Sequence, residues 1–255
     1  MKFFRKIRSR LLGDRKFGNY LAYAIGEIIL VVIGILIALA INNSNQERID
    51  REREQVYLAG LRQEFRFSRM KLQELIEVNR QNLEGAKKIL EFMADPAAQP
   101  TEQQISELLY SAFSLDVAFN PNNSLLDEMI SSGSLKGISS DELRIRLTNW
   151  VSTLDDIGKQ EANLEMNREK VVDFFRSGDY SLKTVFDLAG ASEELGLSGG
   201  ESDSSNLQLL ESRAFENNML IFIATTYATS EGHYDPLMEE LNQILELIDR
   251  ELEDE

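Results

Sequence analysis

The sequence predicts an all-α protein: a single N-terminal transmembrane helix that continues into a long stalk helix and then an antiparallel helical bundle. Three observations carry this. Residues 21–41 contain one ionisable residue, Glu27, and a hydrocarbon core about 30 Å thick is crossed by about 20 helical residues. Residues 46–94 contain no proline, and apolar residues recur at helical spacing from Val56 and Leu61 through Phe65, Leu72 and Leu83 to Ile89 and Met93. No period-two strand pattern and no fixed-length repeat is present.

The first segment, residues 1–19, is basic. Lys2, Arg5, Lys6, Arg8, Arg10, Arg15 and Lys16 precede the apolar run, whereas the charges just after it, from Glu47 to Glu54, nearly cancel. Lys and Arg near a span set its orientation. The N-terminus is therefore expected in the cytoplasm and residues 43–255 outside it. Phe3, Phe4, Ile7, Leu11 and Leu12 share one side of this segment. It can lie on the anionic inner leaflet or serve only as the positive flank of the anchor. Ala38-Leu39-Ala40 has the form of a signal-peptidase site, but the apolar run before it exceeds the usual 7–15 residues, so a retained anchor is expected.

Within the span, residues 20–42, the positions Ala24, Glu27, Val31, Gly34 and Ala38 fall on one face. Gly34 and Ala38 have the small-x-x-x-small spacing that lets helices approach closely. A carboxylate facing lipid costs on the order of 2.5–3.5 kcal/mol at the bilayer centre. This face is thus expected to meet a partner, either a second copy or another membrane protein. The alternative is a tolerated carboxylate that reaches the inner headgroups.

Beyond the stalk, "DPAAQPT" is a loop. Thr101 with Gln104 is a capping-box pattern opening a helix to about Phe113. "FNPNNS" is a turn. Residues 124–132 form a short helix stopped at Gly133, and Ser140 or Asp141 caps a long helix to about Ser177. Residues 190–206, with "LGLSGGESDSSN", are expected as a flexible surface loop. Residues 206–229 read as a core helix, apolar on nearly all sides in "MLIFIATTYA". "EGHYDP" reads as a turn, and residues 236–253 as the last helix.

Little catalytic chemistry is visible. There is no cysteine and one histidine, His233, which cannot build a multi-histidine metal site. The residue three before it is Ser230, so no Glu-x-x-His bundle site exists. Phosphate-cradling and nucleophile motifs are missing. No catalytic, cofactor-binding or metal residue is assigned, no cofactor is expected, and the chain is not expected to be an enzyme. The net charge of −16 repels nucleic acid. Asn120, Asn122, Asn123 and Ser124 suit helix caps and turns.

"YAIGEIILVVIGILIALAINN" with "NQER" after it, and "LLDEMISSGSLKGISSDELRIRL", resemble a family of single-span proteins from Gram-negative bacteria known only as a domain of unknown function. Ser44 stands where that family commonly has Trp, and Gln46 where Glu is common. The resemblance implies an inner-membrane protein with a helical periplasmic domain, and supplies no activity. The expected function is a membrane-anchored interaction or scaffold module. The alternative is a small-ligand sensor signalling through a partner. A filled apolar core favours the first; an inter-helix pocket lined by polar groups favours the second.

Overall fold

The computed structural model describes residues 15–95, 97–197 and 204–253. The chain divides into two compact units, Met1–Val56 and Tyr57–Glu255. Helix α1, Arg15–Ala94, is unbroken, as the absence of proline and the helical periodicity predict. In the first unit, every residue from 25 to 48 is exposed. The helix is long and apolar enough to cross a membrane, with a window of mean hydropathy 2.9 and none of it buried.

The second unit is all helical among the described residues. It contains the rest of α1, α2 (Glu102–Phe113), α3 (Ser124–Ser132), α4 (Asp141–Arg176), the short α5 (Leu182–Leu188) and α6 (Ala191–Glu194), α7 (Arg213–Thr229) and α8 (Asp235–Glu253). Cross-contacts fix the direction of each leg. Arg66 pairs with Asp249 and Asn79 bonds to the Thr226 carbonyl, so α7–α8 runs antiparallel to α1. Arg146–Glu240 and Asn167–Thr225 set α4 antiparallel to the same run.

The other descending leg is α2, a non-helical strap over residues 114–123, and α3. It lies between α1 and α4. On one side Glu64, Ser68 and Asn82 of α1 hold Leu125, Asn122 and Leu115. On the other, Trp150 and Glu161 of α4 hold Asn123 and Phe119. "FNPNNS" is thus part of an extended strap rather than a local turn. Its backbone groups lack a helix ladder and are satisfied by side chains from both neighbouring helices. The result is an up-down-up-down bundle in which one leg is half strap.

Caps explain several boundaries. Thr101 and Gln104 form the reciprocal capping box, and Ser140 caps α4. Asn123 makes no side-chain cap for α3. Glu64 replaces it from α1, accepting the Leu125 and Leu126 N–H groups at 2.7 and 3.4 Å. A carboxylate at a helix N-terminus also suits the helix dipole.

Three further stretches differ from expectation. Within residues 190–206, Ala191–Glu194 form a helical turn; 198–203 lie outside the described residues. Asn206 is buried and bonds to Ser181 and Glu102. The helix expected from 206 starts at Arg213, because Ser212 caps it and residues 207–211 are a 3-10 turn. "EGHYDP" is no turn: Ser230–Tyr234 is one π-helical turn that joins α7 directly to α8. Pro236 supplies the reason. It has no N–H for the carbonyl four residues back, and its ring crowds that carbonyl. A widened turn, with Asp235 N–H bonding Ser230 O, absorbs the misfit without breaking the run.

The core is filled. Leu58, Leu61, Phe65, Leu72, Ile89, Leu126, Trp150, Phe215, Phe222, Leu241 and Ile244 are almost fully buried in one cluster. Trp150 is the hub, with the Phe65 ring centroid at 5.2 Å and that of Phe119 at 6.5 Å, edge-on.

Candidate functional site

The apolar core is interrupted by a polar layer at the level of the π turn. Its centre is Glu161 of α4, 9% exposed. Its Oε1 accepts the Tyr234 hydroxyl at 2.6 Å and the Phe119 N–H at 2.8 Å. One carboxylate oxygen thereby ties α4 to two non-α segments, the strap and the π turn. Around it, Gln160 donates to Thr229 Oγ1 and Asn167 to Thr225 Oγ1, each at 3.0 Å. From α1, Asn79 Nδ2 donates to Thr226 O at 3.2 Å and Ser230 Oγ at 2.8 Å. Asn79 therefore serves carbonyl and hydroxyl groups at the edge of the π turn, where the regular ladder changes register.

Burial pushes the Glu161 carboxyl above its ordinary range, with the bonds from Tyr234 and Phe119 opposing the shift. Burial likewise pushes the Tyr234 hydroxyl far up, and the adjacent Glu161 adds to it. The tyrosine thus holds its proton and acts as a fixed donor. Asn79 Oδ1 and Asn82 Oδ1 are buried and accept no hydrogen bond from described residues. Such a layer holds a specific register between legs.

Beside the layer, α4 and the start of α8 border an open groove of about 800 Å3. Glu142, Arg146, Asn149, Asp156, His233 and Glu240 line it, over an apolar floor of Ile157 and Leu237. Arg146 bridges Glu240 at 2.7 Å. His233 is half-buried in the groove wall, within the π turn. Among the described residues, no group of three or more His, Cys, Asp or Glu is placed to hold a metal ion.

The family of unknown function (DUF6090) matches residues 27–156, half of the chain. The chain belongs to the DUF6090 family. No curated protein and no solved structure matches it. The DUF6090 match begins at Glu27 in the apolar helix and ends at Asp156, one turn before the polar layer's Gln160 and Glu161. It takes in Asn79, Phe119 and Trp150, but not α7 or the π turn.

The residues singled out from the sequence fall elsewhere. Ala24, Glu27, Val31, Gly34 and Ala38 occupy one face of α1. Ala24 is half-exposed and the others are exposed, and nothing lies within 4 Å of a Cβ built on Gly34. Lys2, Arg5, Lys6, Arg8 and Arg10 lie outside the described residues; Arg15 and Lys16 open α1. The polar layer escaped the sequence reading, yet a signal existed. Asn79 falls among Leu72, Ile76, Leu83 and Ala86, and Glu161 among Trp150, Leu154, Ile157 and Leu164, each a polar residue on an apolar stripe.

Proposed function

We propose that this chain is a single-pass inner-membrane protein acting as a non-enzymatic interaction module. The basic flank stays on the cytoplasmic side against anionic headgroups, and the helical bundle is periplasmic. The membrane helix meets a partner, a second copy or another membrane protein, through Ala24, Glu27, Val31, Gly34 and Ala38. The observation that carries this reading is the exposed run from 25 to 48, with an open glycine and a carboxylate on one face. An ionisable group at such a depth is a functional candidate by default. The continuous apolar cluster that joins the legs of the second unit fits a contact module.

The test is photo-crosslinking of the full chain in its native membrane, followed by mass spectrometry. A crosslinked partner lost in Glu27→Leu and Gly34→Leu supports the interface; unchanged association in both removes it. Reporter fusions at residue 255 address orientation, and an active cytoplasmic reporter there overturns it.

A second reading is a periplasmic sensor that binds a small ligand and signals through a partner. The polar-lined groove beside the π turn favours it. A ligand-dependent rise in melting temperature, abolished by Asn149→Leu, separates it from the first reading.

A further inference from the structure

Beside the packed core, the second unit holds a cavity of about 350 Å3 between α2, α4 and α5. It follows from how the short helices pack. Helix α5 lies chiefly against α2, so it roofs the last turns of α4 without closing on them. Tyr110 and Phe113 of α2, Val172 and Phe175 of α4, and Val185 and Phe186 of α5 make an apolar wall. Leu182 and Leu195 also line it, and at 43% and 62% exposed they form its mouth. Arg168 of α4 is the one charged side chain in this wall among the described residues. Its two terminal nitrogens are engaged. Nη2 donates to the Phe113 carbonyl at 2.6 Å, and Nη1 to Glu165 and Glu169 at 3.0 and 3.3 Å. Nε is shielded from solvent and meets no acceptor among the described residues.

We propose that this cavity binds an uncharged apolar molecule carrying one acceptor oxygen, such as a ketone or ester, with that oxygen on Arg168 Nε. The wall decides each part of the ligand. Aromatic and aliphatic sides take an apolar body, and an apolar cavity accepts such a guest readily. The Nε–H is a donor and calls for an acceptor. A hydrocarbon would fill the space but leave that donor unpaired. A carboxylate would supply the acceptor, yet it would stand as a third anion beside Glu165 and Glu169, which already balance the guanidinium, and it would give up its water for a largely apolar site. The free donor thus selects for oxygen, and the balanced charge selects against an acid. The cavity shares no lining residue with the groove between α4 and α8. Its occupation is therefore independent of both readings of the function given above.

The probe is benzophenone, an uncharged aromatic ketone that couples to neighbouring C–H bonds under near-ultraviolet light. In full-length chain held in phosphatidylcholine nanodiscs, peptide mass mapping should find label within residues 109–113, 168–175 or 182–195, the segments that bound the cavity. Phenyl benzoate, an uncharged ester, should suppress this labelling on the order of tenfold more effectively than diphenylmethane, which has no oxygen. The charged 4-benzoylbenzoate should label these segments on the order of tenfold less than benzophenone. Arg168→Lys keeps a cation beside Glu165 and Glu169 but puts a methylene where Arg168 has its Nε–H, so the preference for the ester should vanish. Both competitors enter the lipid equally whichever protein is present, so partition cannot mimic that loss. Leu195→Trp, at an exposed position where folding is not at stake, should block labelling with Arg168 intact. Label confined to the apolar residues 21–41, equal competition by ester and hydrocarbon in wild type, an ester preference that survives in Arg168→Lys, labelling by the acid as strong as by the ketone, or unchanged labelling in Leu195→Trp would each overturn the proposal.

Discussion

The Tyr234 hydroxyl donates a hydrogen bond of 2.6 Å to Glu161 Oε1, at the centre of a buried polar layer that interrupts the apolar core. The same oxygen takes the Phe119 N–H of the strap. A buried carboxylate with two donors is costly to isolate and costly to lose. Removing it leaves two buried donors unpaired, each worth about 1–3 kcal/mol.

Glu161→Leu is therefore expected to lower stability by about 2–5 kcal/mol in urea denaturation. Glu161→Gln, which keeps an acceptor oxygen, should cost much less. The pH dependence has a definite sign. The folded carboxyl titrates above the unfolded one, so the folded state binds the proton more tightly. The contribution of Glu161 is most favourable below the unfolded value and declines as pH rises toward the raised folded value. Relative to Glu161→Gln, wild type should thus lose stability as pH climbs through and above the ordinary glutamate range. A parallel pair of stability curves would contradict the assignment.

Glycine substitutions should split by environment. Gly158 in α4 has nothing within 4 Å of an added Cβ, so Gly158→Ala should stabilise by about 0.5–1 kcal/mol through helix propensity. At Gly85 an added Cβ meets the Leu108 carbonyl and Ala112 Cβ, both at 3.3 Å. Neither can move without shifting α2, so Gly85→Ala should be destabilising. Opposite shifts in melting temperature for the two variants are the expected result.

Glu64 caps a helix that is distant in sequence. Glu64→Ala should cost about 1–2 kcal/mol and raise amide hydrogen exchange at Leu125 and Leu126 more than elsewhere in α3. Uniform exchange across the second unit would show that the carboxylate does not act as that cap.

Trp150 is the chain's one tryptophan and is fully buried. Its Nε1 donates to Asn123 Oδ1 at 3.1 Å. Its emission should be blue-shifted and should report global unfolding. Trp150→Ala should cost about 3–5 kcal/mol. Asn123→Leu should shift the emission while costing less, because only the indole's polar partner is lost.

The sequence by itself determined the helical class, an apolar segment long enough to cross a membrane, the unbroken α1 and the caps at Thr101 and Ser140. These depend on local quantities: periodicity over a few turns, missing prolines, and Ser or Thr just before an apolar stripe. It also carried the polar interruptions at Asn79 and Glu161, without naming what they bond. Tertiary structure alone decided three further matters. It made residues 114–123 a strap, because Glu64, Ser68, Asn82, Trp150 and Glu161 satisfy backbone and side-chain groups that a local reading assigned to a turn. It kept "EGHYDP" helical where a local reading breaks the chain: Pro236 makes the turn a π turn, and Tyr234, buried against Glu161 of α4, holds that turn in the bundle. It also decided which half of an all-round apolar α7 is covered, since burial belongs to what packs against a helix and not to the helix's own residues.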